Sequence, residues 1–201
     1  MEDEATRLRL VCVAAETFAE LGWRDAAVVQ VCARSGVDAS DFYRLYDGVD
    51  DFFVSMYAAR ADELVASTIA ALNEVILSVR EGSLVDARDA TRAVTRVFAA
   101  GALDRTWWIL TTEYSLRAVR HPEVATSYIA ARQEMRKGLG QAVRHALEMA
   151  GLDELVDSDR LVQLATAVHR GALADHFLEP GQVTLEDLDH LAWLALIDAL
   201  T

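Results

Sequence analysis

A chain of 201 residues with 53% apolar content can bury the core of one domain or of two small ones. Its net charge of −13 excludes a protein that coats nucleic acid indiscriminately, because such binding is dominated by cationic neutralisation of phosphates. The longest apolar run, Leu191 to Ile197, is far short of the roughly 20 residues of a membrane span, and the opening Met-Glu-Asp-Glu lacks the basic-then-apolar order of an export signal. A cytoplasmic protein with no membrane partner is the expectation.

Apolar residues recur at three and four positions throughout, and Pro122 and Pro180 are the only prolines, so the chain reads as all-α. The first helix is expected over about Glu4 to Leu21, with Leu8, Val11, Ala15 and Phe18 on its buried face and Gly22 stopping it. Two short helices follow, about Ala26 to Arg34, ended by Ser35-Gly36, and about Ala39 to Leu45, with Asp38 as N-cap. A long helix runs from about Asp50 to Val79. Ser83 with Asp86 is a capping box that starts the next, ending near Gly101. Helices over about Asp104 to Arg120 and Pro122 to Ala150 are separated by His121, since proline disfavours helical geometry in the residue before it. Gly138 and Gly140 inside the second of these predict a bend or a close approach. The last two helices, about Asp157 to Leu178 and Thr184 to Leu200, are joined by Glu179-Pro180-Gly181, and Thr184 with Asp187 forms another capping box. That makes nine helices, with no repeat and no low-complexity segment.

Enzyme chemistry finds no foothold. No two of the five histidines stand at the i, i+4 spacing of a helical zinc site, and Cys12 and Cys32 have no partner at metal or redox spacing. No phosphate-binding glycine loop or nucleophile elbow is present. Neither a metal nor a cofactor is expected.

The three short N-terminal helices carry the informative pattern. Two helices joined by a tight glycine-containing turn make a helix-turn-helix. Ala14-Ala15 and Phe18, Leu21-Gly22, Val31 with Cys32, Gly36-Val37 in the turn, Tyr43 and Tyr46 stand at the spacing of the TetR/AcrR family's DNA-binding region, which the run from Arg9 to Phe53 resembles. A looser resemblance covers Glu113 to Ala118, His121-Pro122-Glu123 and the Arg-rich helix to Leu147, then Gly171-Ala172-Leu173 and Leu178-Glu179-Pro180. The resemblance implies a nine-helix regulator with a helix-turn-helix head over residues 1–48 and a ligand-binding and dimerisation domain over 49–201. It also implies a homodimer on palindromic double-stranded operator DNA, released by a small-molecule effector. Arg24, Arg34, Ser40, Tyr43 and Arg44 are the implied DNA contacts. Ala15, Phe18, Val28, Val31, Val37, Phe42 and Tyr46 read more simply as the core of the head, from their periodicity. Tyr43 and Arg44 are suited to phosphate, and Arg44 also to guanine, although a solvated surface position is the plain alternative for it.

The family pattern is departed from at three positions expected to face DNA: Val49 in place of a lysine, Ala27 in place of a small hydroxyl residue, and Asp41 in place of threonine or a similar donor. Weak, salt-sensitive binding follows, with Val49→Lys and Asp41→Thr together as the expected rescue. Residues 1–51 hold five arginines against eleven acids, a net of −6. Either Arg24, Arg34 and Arg44 cluster on the DNA face while the acids lie elsewhere, or the chain keeps the fold and has given up DNA.

Phe98, Trp107, Trp108, Tyr114 and Tyr128 concentrate aromatic area in the central helices, where bundles build small-molecule cavities, and the resemblance implies an effector pocket there. Ordinary core is the competing assignment for each ring. Adjacent tryptophans point about 100° apart on a helix, so only one of Trp107 and Trp108 can face a given cavity. Arg117 and Glu113 are candidates to orient a largely apolar effector. Small and aliphatic residues in the last two helices, such as Leu161, Ala165 and Ala172, then Leu188 and Ala192, suit packing across a two-fold axis or within one subunit.

Overall fold

The computed structural model describes residues 2–80, 104–150 and 157–179. These form seven helices: α1 (Glu2–Leu21), α2 (Asp25–Ser35), α3 (Ala39–Leu45), α4 (Val49–Arg80), α5 (Arg105–Arg120), α6 (Pro122–Ala150) and α7 (Ser158–Leu178). The fold is all-α, and the ends of the helices fall within about two residues of the sequence expectation. The helices expected over 83–101 and 184–200, with their capping boxes, lie outside the described residues. Among the described residues no helix is long and apolar enough to cross a membrane.

The described residues belong to two compact units: 2–60 with 104–132, and 61–80 with 133–150 and 157–179. In the first, α1 packs on α2 and α5. Its buried face is Thr6, Leu10, Ala14, Thr17 and Phe18, each 4% exposed or less, whereas Leu8 is 58% exposed and Val11 37%. The expected face of α1 is therefore corrected by one residue in register; only Phe18 belongs to both stripes. Thr17 tolerates burial because its hydroxyl donates to the Val13 carbonyl at 2.7 Å. Val28, Val31, Val37, Phe42 and Tyr46 are buried as expected, while Ala15 is half-buried.

The turn between α2 and α3 needs glycine. Gly36 has φ 65°, a left-handed conformation that costs an L side chain about 1–2 kcal/mol, and the chain reverses as the Val37 N–H donates to the Cys32 carbonyl at 3.1 Å. Asp38 occupies the N-cap position of α3, but its side chain makes no capping hydrogen bond; its carbonyl starts the helix, accepting from Asp41 and Phe42. α5 and α7 do begin with side-chain caps. Asp104 accepts from the Trp107 N–H at 3.0 Å, and Asp157 accepts from the N–H groups of Asp159 and Arg160. The two cysteines are free; Cys12 is exposed on α1, and Cys32 is buried in α2, where burial pushes its thiol up from the ordinary value.

The second unit is built on Leu139, Val143 and Val162, with Val65, Leu72, Met135, Leu147 and Leu161 packed against them. Gly138 produces the close approach expected of it: a Cβ there would stand 3.0 Å from Val65 Cγ2. Gly140 faces the carboxylate of Asp159, which also pairs with Arg144 at 3.5 Å. Both glycines stay within an unbroken α6.

Candidate nucleic-acid interface and the aromatic cluster behind it

Helices α2 and α3 flank the Gly36 turn as a helix-turn-helix, and α3 is held from one side only. Phe42 is fully buried and packs edge-on against Phe52 at 5.3 Å, while Tyr43 is 55% exposed and Ser40 and Arg44 are also exposed. The phenol, hydroxyl and guanidinium that a groove would meet are thus presented to solvent.

The charges are not segregated as the first of the two sequence expectations requires. Each of the five arginines in residues 1–51 has a partner within the chain. Arg7 lies over the Tyr46 ring at 5.0 Å, Arg9 donates to Thr6 Oγ1, and Arg24 Nε donates to the Leu21 carbonyl at 2.6 Å. Arg34 pairs with Glu20 at 2.7 Å and donates to Thr17 Oγ1. Arg44 pairs with Asp3 at 2.7 Å and with Asp41 at 3.3 Å. The cations are not segregated from the acids; Arg34 and Arg44 each carry acids with them. Asp3 is held below the usual carboxylate range, first by its hydrogen bond with Arg44 and then by that cation's charge.

Two of the three family departures lose their meaning for DNA. Ala27 is fully buried and Val49 is 7% exposed, so both side chains face the core. A lysine at position 49 would have to thread its ammonium out of that core, which removes the rationale for Val49→Lys as a rescue. Asp41 remains on the surface, 49% exposed, as a carboxylate beside Arg44.

Behind this head, within the same unit, the aromatic residues converge. Phe53 of α4 is fully buried; Tyr114 stacks on it at 3.8 Å, and Trp23 meets it edge-on at 4.6 Å, with Tyr128 at 5.7 Å and Trp107 at 6.2 Å. Trp23, which precedes α2, also stacks on Phe18 at 4.3 Å. Of the expected effector residues, Trp107, Tyr114 and Tyr128 are thus brought together, as rings packed on rings. Trp108 is half-buried, Glu113 is exposed, and Phe98 lies outside the described residues. Trp23 and Phe53 had no place in the expected site; the signal for Trp23 was an indole directly after the helix-stopping Leu21-Gly22.

Arg117 is engaged within the chain. Its Nε and Nη2 donate to the two oxygens of Asp50 at 2.8 and 2.9 Å, a bidentate pair with about a third of each side chain exposed. Burial opposes the Asp50 charge, and Arg117 overcomes it, leaving that carboxyl below its ordinary range. Burial and then the Asp50 charge push the Tyr114 phenol up; its hydroxyl and the indole N–H of Trp23 are buried without a hydrogen-bond partner of ordinary geometry.

The second unit has a groove of about 270 Å³ between α4 and α6. Val65, Ile69, Leu72 and Ile76 form one wall, and the small Gly138, Ala142 and Ala146 keep the other wall back; Asn73, Gln141 and His145 add polar groups. No group of three His, Cys, Asp or Glu among the described residues is placed to hold a metal ion.

These helices have the fold of the TetR-family transcriptional regulators. At 20% identity a TetR-family regulator from Streptomyces coelicolor superposes with a TM-score of 0.65, covering 98% of this chain and 90% of that one. FadR of Bacillus halodurans, a fatty acid degradation regulator, gives 0.71 at 16% identity over 95% and 94% of the two chains. SmeT, repressor of the Stenotrophomonas maltophilia multidrug efflux pump SmeDEF, gives 0.61 at 17% identity over 99% and 92%. No protein-family model and no curated sequence matches the chain.

Proposed function

We propose that the protein is a ligand-responsive transcriptional regulator, a repressor in its simplest form, that binds operator DNA as a cytoplasmic homodimer. The observation that carries this reading is the exposed face of α3, with Ser40, Tyr43 and Arg44 outward and Phe42 anchoring it from behind. Residues 1–48 are the DNA-reading head in this proposal, and 49–201 hold the effector and the dimer contact. Two heads must enter successive major grooves about 34 Å apart. α7 offers part of a dimer face, with Leu164 exposed and, among the described residues, nothing within 4 Å of a Cβ placed on Gly171.

Selection of duplexes from a random library with the full chain is the test. A two-fold symmetric site should emerge, with Arg44→Ala weakening it about tenfold or more. Sedimentation of the same preparation should give twice 22.1 kDa. Failure to enrich any sequence would end the DNA-binding reading, and a monomer would end the paired half-sites.

The groove between α4 and α6 is the effector site in this reading. Its walls are largely apolar with a few polar groups, the composition of a small-molecule site. Apolar compounds that raise the melting temperature should lose that effect in Ala142→Leu, which extends a half-buried wall residue into the groove; retention of every hit would exclude this site. An effector changes operator affinity only by favouring one separation of the heads, and α4, which begins just after α3 and contributes to the groove wall, is the element to carry that preference.

A second reading is favoured by one observation: residues 1–51 have a net charge of −6, and their five arginines all have internal partners. It is a TetR-fold protein that senses a small molecule or protein partner without binding an operator. The duplex selection separates the two.

A further inference from the structure

Arg44 is the one guanidinium on α3, and both of its terminal nitrogens are occupied. Nη1 donates to Asp3 Oδ1 at 2.7 Å, and Nη2 donates to Asp41 Oδ1 at 3.3 Å. The two carboxylates come from different places. Asp41 is three residues earlier on the same short helix, whereas Asp3 lies in the first turn of α1, 41 residues away in the chain. All three side chains are half exposed, and the two ion pairs hold the guanidinium between the acids. The nitrogens that would reach two phosphate oxygens, or O6 and N7 of guanine, are the ones the carboxylates hold.

We propose that Asp3 and Asp41 are a built-in competitor for DNA at Arg44, so that duplex binding by this head is an exchange of two carboxylates for nucleic-acid oxygens. The inference rests on the DNA-binding reading above and deepens it. Exposed ion pairs are individually weak, which makes such an exchange reversible and lets it lower affinity without abolishing it. It assigns Asp41 a different effect from simple repulsion: its carboxylate weakens binding through Arg44. It also gives a function to Asp3, which is remote from the helix-turn-helix in sequence. A strong duplex site must offer enough well-placed oxygens at Arg44 to displace both acids; a weak one leaves the clamp closed. The clamp therefore lowers affinity at every site that opens it by the cost of breaking the two pairs, and a site that cannot meet that cost binds without Arg44.

The test uses the full chain and a random-sequence duplex, followed by fluorescence anisotropy across a sodium chloride series. Asp3→Asn with Asp41→Asn should tighten binding about tenfold, the sum expected of two exposed pairs. Glu4→Gln with Asp38→Asn removes the same charge from two exposed head residues and should tighten it less than about threefold. In an Arg44→Ala background the gain from Asp3→Asn with Asp41→Asn should fall to that of the charge-matched control. An equal gain from the control, or a gain that survives loss of Arg44, overturns the clamp in favour of bulk charge. A wild type that binds and does not tighten overturns the clamp alone; a wild type and variants that all fail to bind overturn it together with the DNA-binding reading. A measurement without DNA bears on the contact itself. By NMR titration the Asp3 carboxyl should lose its proton below the ordinary aspartate range in the wild type and within it in Arg44→Gln. An ordinary Asp3 titration in the wild type overturns the proposal.

Discussion

Phe53→Ala is expected to destabilise the protein by about 3–5 kcal/mol, the range for deleting a fully buried aromatic ring. Phe53 is 0% exposed and touches Trp23, Tyr57, Trp107, Tyr114 and Tyr128, so its removal takes away the ring on which the others assemble. Five rigid planar groups cannot close the void by small rotations, and the cavity term is therefore close to its maximum. Phe53→Leu, which restores part of the volume but none of the stacking, should cost about 1–2 kcal/mol. Urea unfolding at fixed protein concentration measures both, the concentration being held because dimerisation would shift the midpoint. A loss under about 1 kcal/mol for Phe53→Ala would mean that the cluster is loosely packed and has room for a ligand.

Arg117→Ala should cost about 1–3 kcal/mol at neutral pH, chiefly because it strands the Asp50 carboxylate in a site from which two-thirds of its surface is excluded. The pH dependence distinguishes this cause from lost packing. In the wild type the folded-state pKa of Asp50 is depressed, so its contribution is full above the unfolded value near 3.9 and is lost as pH falls through the lower folded value. Without Arg117, burial is unopposed by the nearby cation and the folded pKa moves up instead. The stability gap between wild type and variant should therefore narrow as pH falls from 7 to about 4, since the variant can protonate Asp50 while the wild type has no gain from doing so. A gap independent of pH would assign the loss to packing by the Arg117 stem.

The helices were legible in the chain because their stops are local: Gly22, Gly36 and Pro122 each terminate or open an element through their own backbone geometry. The rotation of a helix about its axis is not a local property. α1 carries two apolar stripes of helical period, Leu8-Val11-Ala15-Phe18 and Leu10-Ala14-Phe18, and the second is buried because α2 and α5 pack on that side. Thr6 and Thr17 lie on the winning stripe, where their hydroxyls disguise them as surface residues. The same limit applied to Ala27 and Val49, whose family counterparts suggested a DNA-facing role and whose side chains point inward here. The pairing of Arg117 with Asp50 was not legible, because that partner is 67 residues away, at the start of α4. The exposure of Ser40, Tyr43 and Arg44 was readable, since one turn of a short helix can bury only the face that carries Phe42.

The two cysteines differ in a way that makes the head easy to instrument. Thiol reagents attack the thiolate of an accessible cysteine; Cys12 is exposed on α1, while Cys32 is 6% exposed and its deprotonation is opposed by burial. A maleimide dye or a nitroxide added to the unaltered sequence should therefore attach at a single point in each head. In a dimer that is one probe per head, and the separation between probes can be followed by energy transfer or dipolar spectroscopy with no cysteine added or removed.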